Sequence, residues 1–232
     1  LASCGIVVVK DKKEYIKAGM KYLIMSCLGS GLVLMGIAFL YSITGHLNMT
    51  YIHNELVKNY IHYPRTILIT LGLFTVGLGV KSAMFPLHTW LPDAHSNAPT
   101  TSSAILSSLV LKGYILFLIK VLYRVFGIEI IRNFPILNII LVLGCLGMIL
   151  GSIFAIFQKN LKRVIAYSTV AQMGYIFFAI GLGTELGIIM SIFHIIGHAV
   201  TKAALFLCTG AIIQGTGHKN LDELKGVGKE MP

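Results

Sequence analysis

The chain has 232 residues, of which 56% are hydrophobic and only 12% are charged. A soluble domain usually carries about twice that share of charged residues, roughly 25%, so the composition excludes an ordinary soluble enzyme or binding domain. The formal net charge of +10 does not indicate a nucleic-acid-binding protein, because the basic residues lie scattered between long apolar runs.

Six apolar segments are long enough to cross a bilayer, which takes about 20 residues. In chain order they cover residues 22–44, 66–95, 101–126, 136–157, 164–183 and 186–213. Residues 1–9 predict the end of a seventh span, and the apolar start and polar end of the chain predict an internal fragment of a longer protein. The predicted fold is therefore an all-α polytopic membrane protein in which residues 1–232 form one transmembrane domain.

The basic residues between the spans favour one side of the membrane. The connections 10–21, 158–163 and 214–232 fall on the same side if every segment crosses once, and they hold eleven Lys and Arg residues against five on the other side. Lys and Arg are enriched in cytoplasmic connections. We therefore expect these three connections to be cytoplasmic in a multi-pass protein of the cell (inner) membrane.

Residues 81–95, KSAMFPLHTWLPDAH, interrupt the second span. Pro86 and Pro92 lack the backbone N–H that a continuous helix needs. Backbone groups freed at membrane depth are tolerated only where they are buried in protein or line a water-filled cavity. The stretch therefore predicts a helix broken around a titratable lysine, Lys81. Three further groups in it are candidates for either a structural role or the uptake of protons: His88, Asp93 and His95.

When the basic residues assigned to the two sides, including Lys120, are set aside, three lysines remain within the spans: Lys81, Lys112 and Lys202. A charge near the bilayer centre costs on the order of 3 kcal/mol on insertion scales, and Lys112 and Lys202 lie too deep to reach the interface easily. His194 and His198 precede Lys202 at four-residue intervals, so the three side chains share one helix face. Desolvation favours the neutral form of a lysine and histidine titrates near neutrality. The row predicts a proton relay; the alternative is a structural pair of hydrogen-bonded histidines.

The sequence predicts no cofactor or metal site of its own. HxxxH at 194–198 has Ile195 where a zinc protease has glutamate, and GLGVKS at 77–82 lacks the glycine that precedes the lysine of a phosphate-binding loop. The cysteines are too far apart for a cluster or zinc site: Cys4, Cys27, Cys145 and Cys208. The sequence therefore supplies no catalytic redox site of its own.

Three long motifs resemble a known family of membrane proteins. They are KSAMFPLHTWLPDAHSNAPTTSSAILSSLVLK (81–112), NLKRVIAYSTVAQMGYIFFAIG (160–181) and HIIGHAVTKAALFLCTGAII (194–213). KYLIMSCLGSGLVLMGIAFLY (21–41) is similar to the sixth helix of the same family. The family comprises the proton-conducting, antiporter-like subunits of respiratory complex I (NADH–quinone oxidoreductase), with relatives in membrane-bound hydrogenases and Mrp-type sodium/proton antiporters.

The resemblance implies that this chain is part of a bundle of about fourteen helices with two inverted repeats, each containing one broken helix. It implies that Lys81 is the lysine of the first broken helix and that Lys112 passes protons toward the centre. It places His194, His198 and Lys202 in a central hydrophilic axis. The glutamate with which the family pairs its broken-helix lysine would lie outside the spans assigned above.

The predicted function is proton translocation through buried Lys and His side chains, in a hetero-oligomer with other membrane subunits. One alternative is a subunit of an Mrp-type antiporter that exchanges Na⁺ for H⁺ without redox chemistry. An alternative of another class is an inert membrane scaffold of a redox complex. The three deep lysines argue against the scaffold, since a scaffold has no use for charges that are costly to bury.

Overall fold

The computed structural model describes residues 13–230, and this part of the chain is all-helical. Its helices are α1 (Lys13–Thr44), α2 (Met49–Asn59), α3 (Pro64–Lys81), α4 (Leu91–Asn97), α5 (Thr100–Phe126, with π-helical turns at Leu106–Val110 and Val121–Phe126), α6 (Ile128–Arg132), α7 (Ile136–Ile156), α8 (Leu161–Gly181), α9 (Glu185–Thr216) and α10 (Val227–Glu230). Six of these are long and apolar enough to cross a membrane: α1, α3, α5, α7, α8 and α9. The predicted all-α membrane fold is confirmed. The span predicted at 1–9 lies outside the described residues, as do Cys4, Lys10 and Lys12.

Two predicted connections are helical in the structure. α1 begins at Lys13 instead of residue 22, so Lys17 and Lys21 lie on the helix and not before it. The connection between the first two predicted spans, residues 45–65, contains α2, which begins where the Asn48 side chain accepts a hydrogen bond from the N–H of Thr50. That capping bond allows a helix to begin in polar sequence.

The start of α8 corrects the prediction for Lys162, which was placed in the connection 158–163. The Asn160 side chain accepts hydrogen bonds from the N–H groups of Lys162 and Arg163, at 3.0 and 3.3 Å. This cap starts the helix at Leu161. Lys162 therefore lies in the first turn of α8, where its side chain is buried.

At the break between α3 and α4, the backbone carbonyl groups find hydrogen-bond donors within the protein. Residues 82–90 form no α-helix, and the hydrogen bonds of the last α3 carbonyls change there: Leu78 keeps its bond from the N–H of Ser82, Gly79 accepts from Met84 and Val80 from Ala83. The Trp90 indole N–H donates to the carbonyl of Val80 at 2.8 Å, and the Ser82 hydroxyl donates to that of Leu78 at 2.6 Å. Buried side chains thus replace the water that is absent at membrane depth, as such a break requires.

α7 and α8 pack through glycines. A β-carbon added to Gly174 would lie 2.5 Å from the backbone nitrogen of Met148, and one added to Gly144 would lie 2.5 Å from that of Phe178. The backbones of the two helices therefore touch, because glycine allows the close approach that a membrane bundle uses. The contact fixes the position of α8, which carries the polar groups described below.

We expect Gly174→Ala to destabilise the fold by about 1–3 kcal/mol, because the new methyl group forces two helix backbones apart. The measurement is the thermal unfolding temperature of the purified protein in detergent. Gly31→Ala is the matched control, since a β-carbon there meets no atom within 4 Å. Equal unfolding temperatures for the two variants would contradict the packing argument.

Candidate functional site

Three lysines from three helices have their side chains buried in the bundle. Lys112, Lys162 and Lys202 expose only 4%, 5% and 2% of their surface. Each ammonium group donates a hydrogen bond to a main-chain carbonyl: Lys112 to Ser107, Lys162 to Ala98 at 2.8 Å, and Lys202 to Ile165 at 3.1 Å. Carbonyl dipoles therefore replace part of the hydration that each ammonium loses on burial.

A row of polar groups, rather than an unbroken chain of hydrogen bonds, lies between Lys112 and Lys202, because Ser107 uses its carbonyl toward Lys112 and its hydroxyl toward Thr169. Lys112 donates to the carbonyl of Ser107, whose hydroxyl lies 3.3 Å from that of Thr169. The Thr169 hydroxyl donates to the carbonyl of Ile165 at 3.0 Å, and Lys202 donates to the same carbonyl. Because the Thr169 proton is used there, the Ser107 hydroxyl is the donor to Thr169. Two hydroxyl groups thus lie between the two ammonium groups.

Lys202 has a second partner on α8. Its ammonium group also donates to the Ser168 hydroxyl, which in turn donates to the carbonyl of Ile165 at 2.9 Å. Ser168 and Thr169 are adjacent in sequence, so one turn of α8 presents two hydroxyls and one carbonyl to the lysines of α5 and α9. The turn is the polar centre of the site.

His95 lies in the electrostatic field of all three buried lysines. The charges of Lys202, Lys112 and Lys162 act on its ring, which is fully buried and stacks on Phe206 with the ring centroids 4.8 Å apart. Among the described residues neither ring nitrogen has a hydrogen-bond partner. His95 is thus a buried, titratable group at the centre of the lysine cluster.

His194 and His198 lie on the same face of α9 as Lys202. Their rings stack with centroids 6.2 Å apart, and all three side chains line a cavity of about 360 Å³. Lys112 acts electrostatically on both rings. The spacing in the sequence therefore produces the predicted shared face, and the face borders space that can hold water.

Lys81 is the last residue of α3, at the point where the helix breaks. Its ammonium group lies 4.8 Å from the centroid of the Tyr114 ring, a cation–π distance. Tyr114 belongs to α5, two residues after Lys112. The broken helix thus brings Lys81 against the helix that carries Lys112.

Asp93 and His88, the other candidates in the broken segment, have partners outside the cluster of buried lysines. The Asp93 carboxylate accepts hydrogen bonds from Lys21 at 2.7 Å and from Arg163 at 2.8 Å, which ties α4 to α1 and α8. The His88 ring stacks on Phe85 with centroids 5.2 Å apart. His88, Asp93 and His95 were candidates for either a structural role or the uptake of protons. Of these three, only His95 lies within the lysine cluster.

The sequence analysis missed three members of the site. Lys162 was assigned to a connection, although Asn160 is a typical helix-capping residue and signals a helix start just before it. Ser107 and Thr169 carry no sequence signal, because Ser and Thr are common in membrane helices and their partners lie far away in the chain.

Within residues 13–230 no group of three or more His, Cys, Asp or Glu side chains is placed to hold a metal ion. The titratable side chains of the described site are the ammonium groups of its lysines and the imidazole groups of its histidines. These groups bind and release protons.

Comparison with known proteins identifies relatives along the whole chain. The family described as NADH:quinone oxidoreductase/Mrp antiporter, TM, matches residues 1–232. NADH-quinone oxidoreductase subunit N of Desulforudis audaxviator is 33% identical over 100% of this chain and 46% of its own length. A Na(+)/H(+) antiporter subunit of Alkalihalophilus pseudofirmus is 30% identical over the same shares. The chain thus spans about half the length of these relatives.

A solved structure has the same fold. A chain of the membrane-bound sulfane sulfur reductase (MBS), an archaeal respiratory membrane complex, superposes with a TM-score of 0.91 at 30% sequence identity. The match covers 100% of this chain and 46% of the other. The arrangement of helices described above is therefore one that a respiratory membrane complex also contains.

We expect Asp93→Asn to lower the free energy of unfolding by about 1 kcal/mol, because it removes two partly exposed ion pairs that are each worth about 0.2–1 kcal/mol. The unfolding temperature in detergent measures the effect, which 1 M salt should reduce by screening. Asp222→Asn is the control, since Asp222 lies 4.0 Å from Lys225 with both side chains largely exposed. A loss as small as that of the control would show that Asp93 does not tie α4 in place.

Proposed function

Since this chain belongs to the NADH:quinone oxidoreductase/Mrp antiporter family of membrane proteins, we propose that it conducts protons through the membrane as part of a multisubunit complex. The buried row of polar groups between Lys112 and Lys202 carries the proposal. It gives two groups that exchange protons a polar connection inside an apolar bundle. The other membrane subunits of the complex would supply the driving energy.

Electrostatic coupling between the lysines gives the path its mechanism. Lys112 and Lys202 are both buried, and the positive charge of one acts on the other. A proton that arrives on one lysine therefore favours release from the other, so the two sites titrate as a coupled pair. A change in the charge of Lys112 thus changes how readily Lys202 releases its proton, and the reverse also holds.

The remaining groups extend the path at both ends. Lys81 would pass protons to Lys112 from the break in the membrane span, where Tyr114 holds its ammonium group. His194 and His198 would continue the path from Lys202 along α9 and its cavity. His95 would exchange protons with the lysines around it, because its buried ring nitrogens are not used by protein groups of the described residues. Lys162 would join the same cluster.

The basic end of the bundle would face the cytoplasm. Lys17, Lys21, Arg163 and Lys219 surround a cavity at one end of the spans, and Lys and Arg are enriched on the cytoplasmic side of membrane proteins. Lys162 no longer contributes to this count, because it is buried. The protein would then lie in the cell (inner) membrane with the segments 13–21, 158–163 and 217–230 on the cytoplasmic side.

We expect Lys112→Ala to reduce proton flux at least tenfold in the reconstituted complex that contains this subunit. The variant removes one of the two coupled ammonium groups, and a tenfold change corresponds to about 1.4 kcal/mol in the barrier. Flux is measured with a pH-sensitive dye inside vesicles.

Lys120→Ala is the matched control, since Lys120 lies on the same helix with an exposed side chain. Its flux should equal that of the wild type. Unchanged flux in an assembled Lys112→Ala complex would refute the relay and leave the inert scaffold as the better description.

We expect Thr169→Val to lower proton flux about threefold to tenfold without preventing assembly. Valine keeps the shape of threonine but removes the hydroxyl between Ser107 and Ile165, and one such hydrogen bond is worth roughly 1 kcal/mol. Thr50→Val is the control, because Thr50 is exposed on α2, which is not one of the membrane spans. Equal flux in both variants would exclude Thr169 from the path.

A second candidate is the exchange of Na⁺ for H⁺. The observation that favours it is the 30% identity to a protein named as part of a Na(+)/H(+) antiporter. Vesicles of the complex with a Na⁺ gradient and no redox substrate separate the two functions. Proton movement driven by Na⁺ alone would establish the antiporter, whereas flux that needs electron transfer would establish the redox-driven pump.

A further inference from the structure

A second polar site lies at the basic end of the bundle, apart from the buried path. It is a cavity of about 730 Å³ formed by the first turns of α1 and α8, by α4 and by the segment that follows α9. Four cationic side chains line it, Lys17, Lys21, Arg163 and Lys219, together with a single carboxylate, that of Asp93. The cavity therefore carries a formal net charge of +3.

The one carboxylate does not neutralise the cavity. Asp93 already accepts hydrogen bonds from both Lys21 and Arg163, so this group of three keeps one positive charge. Lys17 and Lys219, which also line the cavity, add two more. Such a charge distribution attracts an anion with several acceptor oxygens, of which a phosphate group is the natural example.

The backbone fixes the walls of this cavity. The N–H of Leu161 donates to the carbonyl of Lys219 at 3.0 Å, and the N–H of Leu221 donates to that of Lys159 at 2.9 Å. This short antiparallel pairing holds the segment after α9 against the start of α8. The cations from distant parts of the chain are thus pre-organised around one space.

An apolar groove continues from the cavity along the outside of α1. It has a volume of about 560 Å³, and its lining residues all belong to the first turns of α1, among them Lys17 and Lys21, which also line the cavity. Its walls are Ile16, Met20 and Ile24, which expose 43%, 57% and 56% of their surface. Because α1 is a membrane span, the groove runs from the polar end of the helix into the apolar layer.

We propose that the cavity and groove together bind one anionic phospholipid. Its phosphate group lies among Lys17, Lys21, Arg163 and Lys219, and an acyl chain lies on Ile16, Met20 and Ile24. Basic pockets between membrane helices suit such headgroups. The groove decides against an acidic protein segment as the occupant, because a polar segment gains nothing along an apolar surface that faces lipid.

The consequence for the protein is a link between lipid and the broken helix. A phosphate that contacts Lys21 and Arg163 competes with Asp93 of α4 for the same two cations. Bound lipid would therefore loosen the contacts that tie α4 to α1 and α8. This role is independent of whether the buried path conducts protons.

The first experiment measures lipid retained by the complex that contains this subunit. The complex is purified in mild detergent with added phosphatidylglycerol, and native mass spectrometry counts bound lipid per subunit. The double variant Lys17→Gln/Lys219→Gln should retain at least about tenfold less phosphatidylglycerol, since it removes two of the four cations. The control Lys225→Gln/Lys229→Gln changes two basic residues outside the cavity and should retain the wild-type amount.

Equal retention by the two double variants would overturn the proposal. So would equal retention of phosphatidylcholine and phosphatidylglycerol by the wild type, because the cavity would then not select negative charge. Loss of bound phosphatidylglycerol in 10 mM inorganic phosphate, with phosphate bound in its place, would overturn the lipid assignment by showing an anion site that does not need the groove.

A second experiment needs no variant. The wild-type complex is incubated with phosphatidylglycerol that carries a photoreactive group on its acyl chain, and cross-linked peptides are identified by mass spectrometry. We expect cross-links to Ile16, Met20 and Ile24, and at least fivefold fewer with the matching phosphatidylcholine. Cross-links spread evenly over the exposed spans would refute the assignment of the groove.

Discussion

The burial of lysine ammonium groups in an apolar bundle is the constraint on which the rest of this structure depends. An ammonium that loses its water must find polar groups in the protein, or the cost of burial falls on the stability of the fold. Lys112, Lys162 and Lys202 find carbonyl and hydroxyl oxygens. Each of these contacts requires two helices, or two turns of one helix, to be placed to within a fraction of an ångström.

The broken helix meets part of that requirement. Because α3 ends at Lys81, the chain can turn and place α4 with its following residues against the other helices. The Ala98 carbonyl beyond α4 then accepts the hydrogen bond of Lys162, and His95 on α4 lies among the lysines. The indole of Trp90 compensates the break by binding the carbonyl of Val80. An interruption that would be costly in a simple membrane span is thus a means of bringing polar groups to the centre.

The close contact between α7 and α8 also helps to place polar groups precisely around the buried ammonium groups. Glycines let the two backbones touch, so α8 lies deeper in the bundle than a larger residue at those positions would allow. α8 carries Lys162, Ile165, Ser168 and Thr169, which supply a carbonyl, two hydroxyls and one of the lysines. The face of α8 that packs on α7 has no polar side chain in the contact. Its packing nevertheless positions the polar groups on the opposite face of α8.

The sequence by itself determined the membrane spans, the break at residues 81–95 and the shared face of His194, His198 and Lys202, because hydropathy, proline and four-residue spacing act over short distances along the chain. Only the tertiary structure decided which lysines meet which partners. The contacts of Lys202 with Ile165, of Ser107 with Thr169 and of Lys162 with Ala98 join residues 37, 62 and 64 positions apart. No local pattern encodes such pairs, since they depend on how whole helices pack. For the same reason Lys162 looked like a residue of a solvated connection until the helix start at Asn160 and the neighbouring α4 segment enclosed it.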